Sequence, residues 1–158
     1  MNDVTARPNS LPWPPIIYLT AIAISVLLNA LYHLPWFGQP VSAILFVLGS
    51  VMIVAFVALN ISAIRVMHRA GTTVRPDRGT EHLVTDGPFS LTRNPLYLAG
   101  TMLVLGIGLV SGIAWFLLLA ILAAFTVQKV TIEREERHLQ ARFGETYLDY
   151  ARHVRRWI

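Results

Sequence analysis

Side chains able to hydrogen-bond or stack cluster just before an apolar stretch in the second half of the sequence. The cluster consists of Thr92, Arg93, Asn94 and Tyr97. Asn94 is a favourable N-cap and Pro95 suits the first helical position, so the spacing predicts a helix that begins here. Because the first N–H groups of a helix lack intrahelical partners, this start favours an anionic ligand such as a carboxylate or phosphate. The alternative is that these residues only return the chain to a membrane.

A second group of charges follows the last apolar stretch. Lys129, Glu133 and Glu136 recur at i, i+4 and i+7, which predicts one shared helix face. Lys129 and Glu133 lie within about one turn of the apolar segment, where an unpaired charge is costly, so we expect Glu133 to face a bound cation. The alternative is an exposed helix in which Glu133 pairs with Arg137, worth only about 0.2–0.5 kcal/mol.

The surrounding composition is that of a membrane protein. The sequence is 54% hydrophobic and 14% charged, against roughly 25% charged residues in a soluble domain. No Asp, Glu, Lys or Arg occurs in residues 8–64 or 94–128. A bilayer core about 30 Å thick takes about 20 residues of helix, so these stretches allow about four crossings. The sequence therefore predicts an all-α, multi-pass integral membrane protein with about four transmembrane helices.

Helix-breaking residues divide both uncharged stretches. Two prolines and a glycine interrupt the first between residues 34 and 40, and the glycine-rich residues 106–112 predict a turn in the second. The predicted spans, within a single membrane domain 1–158, are residues 16–34, 41–64, 96–108 and 112–128. The second stretch is too long for one upright helix and long enough for two short ones, which favours a hairpin over one tilted or broken helix.

The distribution of basic residues predicts the topology. The connection at 35–40 and the turn near Ser111 carry none, whereas 65–93 and 129–158 carry almost all of them. The positive-inside rule then places both termini and the loop 65–93 in the cytoplasm, with the spans in the inner cell membrane. We expect the two charged pieces to meet in one site. The second piece is predicted to continue the last span as a helix, end at Gly144, and form a short helix over 145–153.

Several other function classes are disfavoured. The absence of cysteine excludes disulfides, thiolate metal sites and cysteine nucleophiles. The five histidines are scattered without a paired ligand spacing, so no metal site is predicted. Despite a net charge of +4, the basic residues flank apolar spans instead of forming a long block, which indicates contact with the lipid bilayer and no nucleic-acid partner.

Four segments together match a known pattern. They are Leu83-Val84-Thr85-Asp86-Gly87-Pro88-Phe89, Thr92-Arg93-Asn94-Pro95-Leu96-Tyr97-Leu98-Ala99-Gly100, Glu133-Arg134-Glu135-Glu136 and Phe143-Gly144-Glu145-Thr146-Tyr147-Leu148-Asp149-Tyr150. Over roughly residues 80–157 the chain resembles the isoprenylcysteine carboxyl methyltransferase family and its relatives, the membrane phospholipid methyltransferases. The resemblance implies an enzyme that transfers a methyl group from S-adenosylmethionine to a lipid-borne or small hydrophobic acceptor, such as a prenylated cysteine carboxylate.

The resemblance also implies a cytoplasmic cofactor pocket over the end of the helical bundle. Glu133 would pair with the cofactor's ammonium group, the amides after Asn94 with its carboxylate, and Phe89 or Tyr97 with its adenine or sulfonium. The implied catalytic residues are Lys129 and Arg93, with Lys129 near the acceptor. By position, the implied cofactor-binding residues are Glu81, His82, Leu83, Val84, Phe89, Asn94, Pro95, Leu96, Tyr97 and Glu133.

Two departures from the family pattern leave the acceptor open. Asn94 stands where the family usually has histidine, so an amide replaces that ring and any role of it in protonation is lost. Lys129 stands where the carboxyl methyltransferases have arginine, and lysine cannot make a planar bidentate clamp on a carboxylate. Arg-Asn-Pro also occurs in membrane sterol reductases. The alternatives are therefore an NADPH-dependent reductase of an isoprenoid or sterol-like lipid, a phospholipid N-methyltransferase, and a non-enzymatic membrane module.

Overall fold

The computed structural model describes residues 13–71 and 83–158. In these ranges the secondary structure is helical. A 3-10 turn, Gly87–Ser90, precedes the third helix, and a π-helical segment, Gln128–Ile132, joins the fourth to the fifth so that residues 115–143 form one continuous helix. The α-helices are α1 (Trp13–Leu31), α2 (Val41–Arg69), α3 (Pro95–Ser111), α4 (Trp115–Val127), α5 (Glu133–Phe143) and α6 (Glu145–His153).

The prediction of an all-α membrane protein is confirmed. Three helices are long and apolar enough to cross a membrane, namely α1, α2 and the continuous helix Trp115–Phe143. The apolar helix α3 has 17 residues, about 26 Å at 1.5 Å per residue, and is thus slightly shorter than the bilayer core. Outward-facing Val47, Val51 and Val54 on α2 are exposed, as expected for side chains that contact lipid rather than water.

Some helix bounds differ from the predicted spans. The first helix begins at Trp13 rather than near residue 16, because Pro14 and Pro15 lie in its first turn, where no backbone N–H is required. The second helix runs on to Arg69, beyond the predicted end at residue 64. The predicted continuation past residue 129 is present, and so is the short helix Glu145–His153 after Gly144.

The connection between α3 and α4 is shorter than predicted. Residues 106–112 were expected to form the turn, but Gly106 and Gly108 lie inside α3. The chain reverses at Gly112, whose φ of +72° is a left-handed conformation that favours glycine and whose N–H donates to the carbonyl of Gly108. The two helices form a hairpin, and the earlier glycines serve helix packing instead of the turn.

Three glycines let α3 pack closely against all three of its neighbours. A Cβ at Gly100 would lie 2.5 Å from the ring of Tyr18 on α1, and one at Gly108 would lie 2.5 Å from the Cβ of Phe116 on α4. At the crossing with α2, a Cβ at Gly106 would lie 2.9 Å from the carbonyl oxygen of Gly49. Because lipid offers little hydrophobic drive for helix association, such small-residue contacts carry much of the packing in a membrane bundle.

We expect Gly106→Ala to destabilise the protein by about 1–3 kcal/mol, since its methyl group would press on backbone that cannot rotate away. The matched control is Gly38→Ala, because among the described residues a Cβ at Gly38 meets no atom within 4 Å. Thermal unfolding of both variants in the same detergent measures the difference. Equal melting temperatures for the two variants would contradict close contact at the crossing of α2 and α3.

Candidate functional site

The polar candidate residues lie at one end of the bundle. That end contains the last turn of α2, the start of α3, helices α5 and α6, and residues 154–158, which follow α6. The opposite end is marked by a hydrogen bond from the indole N–H of Trp115 to the carbonyl of Tyr32, and by Trp36, which packs over Gly112. The charged pieces on either side of the α3–α4 hairpin are thus brought to one face of the bundle.

One carboxylate joins two of these elements to α5. Glu136 accepts two hydrogen bonds from the guanidinium of Arg156, at 3.0 Å from Nε and 2.6 Å from Nη2. It also forms an ion pair with Nη2 of Arg93, at 3.0 Å. The side chains of Arg93 and Glu136 are only about 15% exposed. Since a charge this secluded is costly without a partner, Glu136 fixes both the loop before α3 and segment 154–158.

The backbone of segment 154–158 continues this connection. The carbonyl of Arg156 accepts hydrogen bonds from Thr92 Oγ1 at 3.1 Å and Asn94 Nδ2 at 2.9 Å, and the carbonyl of Arg155 accepts one from the N–H of Arg93. Thr92 and Asn94 are both buried. Asn94 does occupy the N-cap position of α3, but its side chain makes no capping hydrogen bond there. Its amide holds segment 154–158 instead.

The first turn of α3 is anchored on both sides. The N–H groups of Tyr97 and Leu98 donate to the carbonyl of Asn94, at 3.1 and 2.9 Å. The phenol of Tyr97 donates to Glu135 on α5 at 2.7 Å, and its carbonyl accepts a 2.7 Å hydrogen bond from Tyr18 on α1. Tyr97 therefore links three helices, and its ring is held in a defined position beside α5.

Lys129 and Glu133 lie at the π-helical segment. Their side chains form a 2.7 Å ion pair and are 51% and 28% exposed, respectively. The N–H of Glu133 donates to the carbonyl of Gln128, five residues earlier, which widens the helix locally. The indole N–H of Trp157 in turn donates to Oε1 of Gln128 at 2.8 Å. π-segments within α-helices frequently occur at functional sites, and this one contains Lys129 and is closed by the N–H of Glu133.

Helix α6 adds two tyrosines near the ion cluster. Burial raises the pKa of Tyr147 to about 12, an effect that Glu136 increases and that Arg93 and Arg156 partly offset. Burial also raises the pKa of Tyr150 to about 12, and its hydroxyl donates to the carbonyl of Phe89 at 2.6 Å. Both phenols therefore stay neutral at physiological pH. Tyr147 Oη and Arg93 Nε are buried in the described structure without a hydrogen-bond partner.

The sequence-predicted site residues divide into three sets. Arg93, Asn94 and Tyr97 are bound into the network that joins α3, α5 and segment 154–158. Lys129 and Glu133 pair with each other, in place of the alternative pairing of Glu133 with Arg137. Half-buried Leu83, Val84 and Phe89 precede α3, which begins with buried Pro95 and half-buried Leu96. Glu81 and His82 lie outside the described residues.

Sequence reasoning did not assign roles to four residues of this network. Glu135, Glu136, Arg156 and Trp157 have hydrogen bonds that join the charged pieces. Glu135 and Glu136 belong to the motif Glu133-Arg134-Glu135-Glu136. Their position just after an apolar helix indicates that these charges need partners. Arg156 and Trp157 follow α6 in an irregular segment with no periodic pattern, so their partners had no sequence signal.

Comparison with known proteins identifies the family. A family model described as phospholipid methyltransferase matches residues 44–146, about two thirds of the chain. The chain belongs to the phospholipid methyltransferase family. The match runs from the start of α2 to the beginning of α6, so it contains the loop before α3, Lys129 and Glu133. It confirms the relationship that the motifs predicted, and it ends before segment 154–158.

Two curated relatives of the chain have names that refer to metal resistance. The nickel-cobalt-cadmium resistance protein NccN of Alcaligenes xylosoxydans xylosoxydans is 33% identical over 135 residues, 83% of this chain and 58% of the relative. The cobalt-zinc-cadmium resistance protein CzcN of Cupriavidus metallidurans is 30% identical over 137 residues, 86% of this chain and 57% of the relative. The chain thus spans slightly more than half the length of these relatives. No solved structure gives a significant match.

The structure also bears on metal ligands. Within residues 13–71 and 83–158, no group of three or more His, Asp or Glu side chains is arranged to hold a metal ion. The carboxylates of α5 are instead engaged by arginine, lysine and tyrosine.

We expect Glu136→Gln to destabilise the protein by about 2–3 kcal/mol, less than the roughly 3–5 kcal/mol typical of a fully buried pair, because Arg156 retains some solvent contact. Two guanidinium groups would then share a neutral amide. Glu145→Gln, an exposed change of the same chemistry on α6, serves as the control. The measurement is again thermal unfolding in detergent, and a Glu136→Gln variant as stable as the control would show that the cluster does not hold this end together.

Proposed function

We propose that this chain is an integral membrane methyltransferase that uses S-adenosylmethionine and methylates a lipid-borne or small hydrophobic acceptor. The observation that carries the proposal is the family match over residues 44–146. Support comes from the structure, which gathers the polar residues of that region at one end of an apolar bundle. We place this end at the cytoplasmic face of the inner membrane, with both termini on the same side, from the distribution of basic residues.

The available donors and acceptors suit the charged groups of S-adenosylmethionine. Its ammonium needs a carboxylate, and Glu133 offers one that is 28% exposed and that forms its ion pair, among the described residues, with Lys129. Its carboxylate needs N–H or O–H donors, and buried Arg93 Nε and Tyr147 Oη are donors that have no hydrogen-bond partner among residues 13–71 and 83–158. Phe89 and Tyr97 provide aromatic faces next to the start of α3. The residues present therefore fit the cofactor that the resemblance implies.

The proposed reaction asks mainly for alignment. S-adenosylmethionine, when bound, supplies a methyl group that is already activated by its sulfonium. Positioning of the two reactants can supply a large part of the rate enhancement, which explains why the site needs no acid–base dyad. Arg93 and Tyr97 are fixed through Glu136 and Glu135, respectively, and so can hold a defined pocket wall. The side chain of Lys129 is half exposed, so it can turn from Glu133 toward an acceptor at the membrane surface.

The chemistry of Lys129 favours an anionic acceptor. A carboxylate such as that of a prenylated cysteine would be attracted by the lysine and is nucleophilic without losing a proton. The alternative, a phospholipid amine, agrees with the description of the family model. Because a primary ammonium must lose a proton before it attacks, this acceptor would also need a base to take up that proton. The two acceptors consequently differ in how they depend on Lys129.

Cofactor binding provides the first test. We expect the purified protein to bind S-adenosylmethionine and its demethylated product in titration calorimetry, and not NADPH. Glu133→Gln should weaken this binding about 10- to 100-fold, because the cofactor's ammonium loses its charge-assisted hydrogen bond. The control Glu145→Gln removes an exposed carboxylate of α6 and should bind as the wild type does.

The outcomes separate the candidate functions. Binding of NADPH alone would overturn the methyltransferase proposal in favour of a lipid reductase. Binding of neither cofactor would favour a non-enzymatic membrane module. Normal affinity in Glu133→Gln, with a bound sulfonium cofactor, would remove Glu133 from the cofactor site while leaving the activity itself in place.

Acceptor choice provides the second test. Radiolabelled methyl transfer is measured with a prenylated cysteine and with phosphatidylethanolamine in the same detergent mixture. We expect Lys129→Gln to raise the KM for the prenylated cysteine about tenfold, equivalent to about 1.4 kcal/mol, with little change in cofactor affinity. Arg142→Gln, on the exposed side of α5, is the control. Transfer to phosphatidylethanolamine alone, with a KM unaffected by Lys129→Gln, would refute the anionic acceptor.

A further inference from the structure

Segment 154–158 connects with both sides of the proposed site. Its backbone accepts hydrogen bonds from Thr92, Arg93 and Asn94 just before α3. The side chain of Arg156 holds Glu136 on α5, and the indole of Trp157 holds Gln128. The segment lies outside the part of the chain that matches the family, residues 44–146. The match of the family model therefore does not account for the contacts of segment 154–158.

The contact between Trp157 and Gln128 falls on the residue that begins the π-helical segment. The carbonyl of Gln128 accepts the i+5 hydrogen bond from the N–H of Glu133, while its side chain accepts the indole N–H of Trp157. π-helical hydrogen bonding is rare compared with α-helical hydrogen bonding, so surrounding contacts must favour the wider turn. Trp157 also packs against the hydrophobic core, a cluster to which Val127 and Ile132 belong, and this packing restricts the position of its indole.

The pair Lys129–Glu133 lies within this wider turn. Lys129 follows Gln128 directly, and Glu133 donates the N–H that closes the turn. In an uninterrupted α-helix that N–H would instead bond to residue 129. The direction in which Lys129 and Glu133 point, relative to α3 and the loop before it, therefore depends on the π-helical hydrogen bonding. The side chain of Trp157, which lies outside this helix, contacts Gln128, the residue that begins the π-helical segment.

We propose that Trp157 is a positioning residue, which holds the π-helical segment through Gln128 and so presents Lys129 and Glu133 to the cofactor and acceptor. Arg156 supports it by fixing the same segment to Glu136. This inference rests on the proposed function, and it extends the site to residues that contact neither reactant. It requires that removal of a single N–H from Trp157 change the environment of Lys129 without loss of the fold.

The sole lysine of the sequence makes this measurable without any activity. Lys129 is the only lysine, so reductive methylation with ¹³C-formaldehyde labels one side chain besides the terminal amine. The NMR resonance of this label in the full chain, in detergent micelles, reports its pairing with Glu133. Glu133→Gln gives the reference position for the broken pair. We expect Trp157→Phe and Gln128→Met to shift the resonance toward that reference.

Two controls distinguish positioning from general damage. Trp115→Phe removes an equivalent indole hydrogen bond, to the carbonyl of Tyr32, at the opposite end of the bundle, and should leave the resonance unchanged. The double variant Trp157→Phe with Gln128→Met should shift the resonance no further than either single change, because both remove the same contact.

In the methyl transfer assay, Trp157→Phe should raise the KM for S-adenosylmethionine and for the acceptor about threefold to fivefold, equal to about 0.7–1 kcal/mol, less than the loss of Glu133 or Lys129 itself, because both displaced side chains are still present. Trp115→Phe should retain both values. An unmoved Lys129 resonance in Trp157→Phe, or an equal shift in Trp115→Phe, would overturn the inference. If the wild type transfers no methyl group, the proposed function fails, whereas the NMR comparison still decides whether Trp157 positions Lys129.

Discussion

The carboxylate of Glu136 is the point where the two polar pieces of this membrane protein meet. It receives Arg93 from the loop before α3 and Arg156 from the segment after α6, so one negative group is shared by two cations. A hydrogen bond to Glu136 raises the pKa of Arg156 above its already high ordinary value, which keeps this connection charged throughout the physiological range. The positions of Asn94, Trp157 and the π-helical segment all follow from this contact through hydrogen bonds.

The membrane explains why so much depends on so few polar contacts. Most of the chain is apolar, and its outward side chains gain nothing by packing together when lipid is equally apolar. Helix α3 therefore packs through Gly100, Gly106 and Gly108, which approach the ring of Tyr18, the carbonyl of Gly49 and the side chain of Phe116, respectively. The same constraint excludes charges from the spans, so the proposed chemistry is confined to the end of the bundle.

The sequence predicted the helices better than it predicted their contacts. Uncharged length and proline placement indicated α1 to α4, and Gly144 marked the end of α5, since these signals are local. Gly106 and Gly108 were assigned to a turn because a glycine in a turn and one in a helix crossing look alike in a single sequence. The π-helical segment Gln128–Ile132 reads as ordinary helix, and nothing local indicates that Asn94 would bind the carbonyl of Arg156 rather than cap α3.

The Glu136 cluster and the Lys129–Glu133 pair differ in the free energy that is needed to separate their charges. The cluster around Glu136 is about 15% exposed on two of its three side chains, so breaking it would leave secluded charges unpaired. Lys129 and Glu133 form an i, i+4 pair in which Lys129 is half exposed, and such pairs contribute only about 0.3–0.5 kcal/mol. A ligand can therefore separate Lys129 from Glu133 at little cost while the Glu136 cluster keeps its geometry. The fold in this way keeps one set of charges fixed and leaves Glu133 and Lys129 available for the cofactor ammonium and the anionic acceptor that we propose.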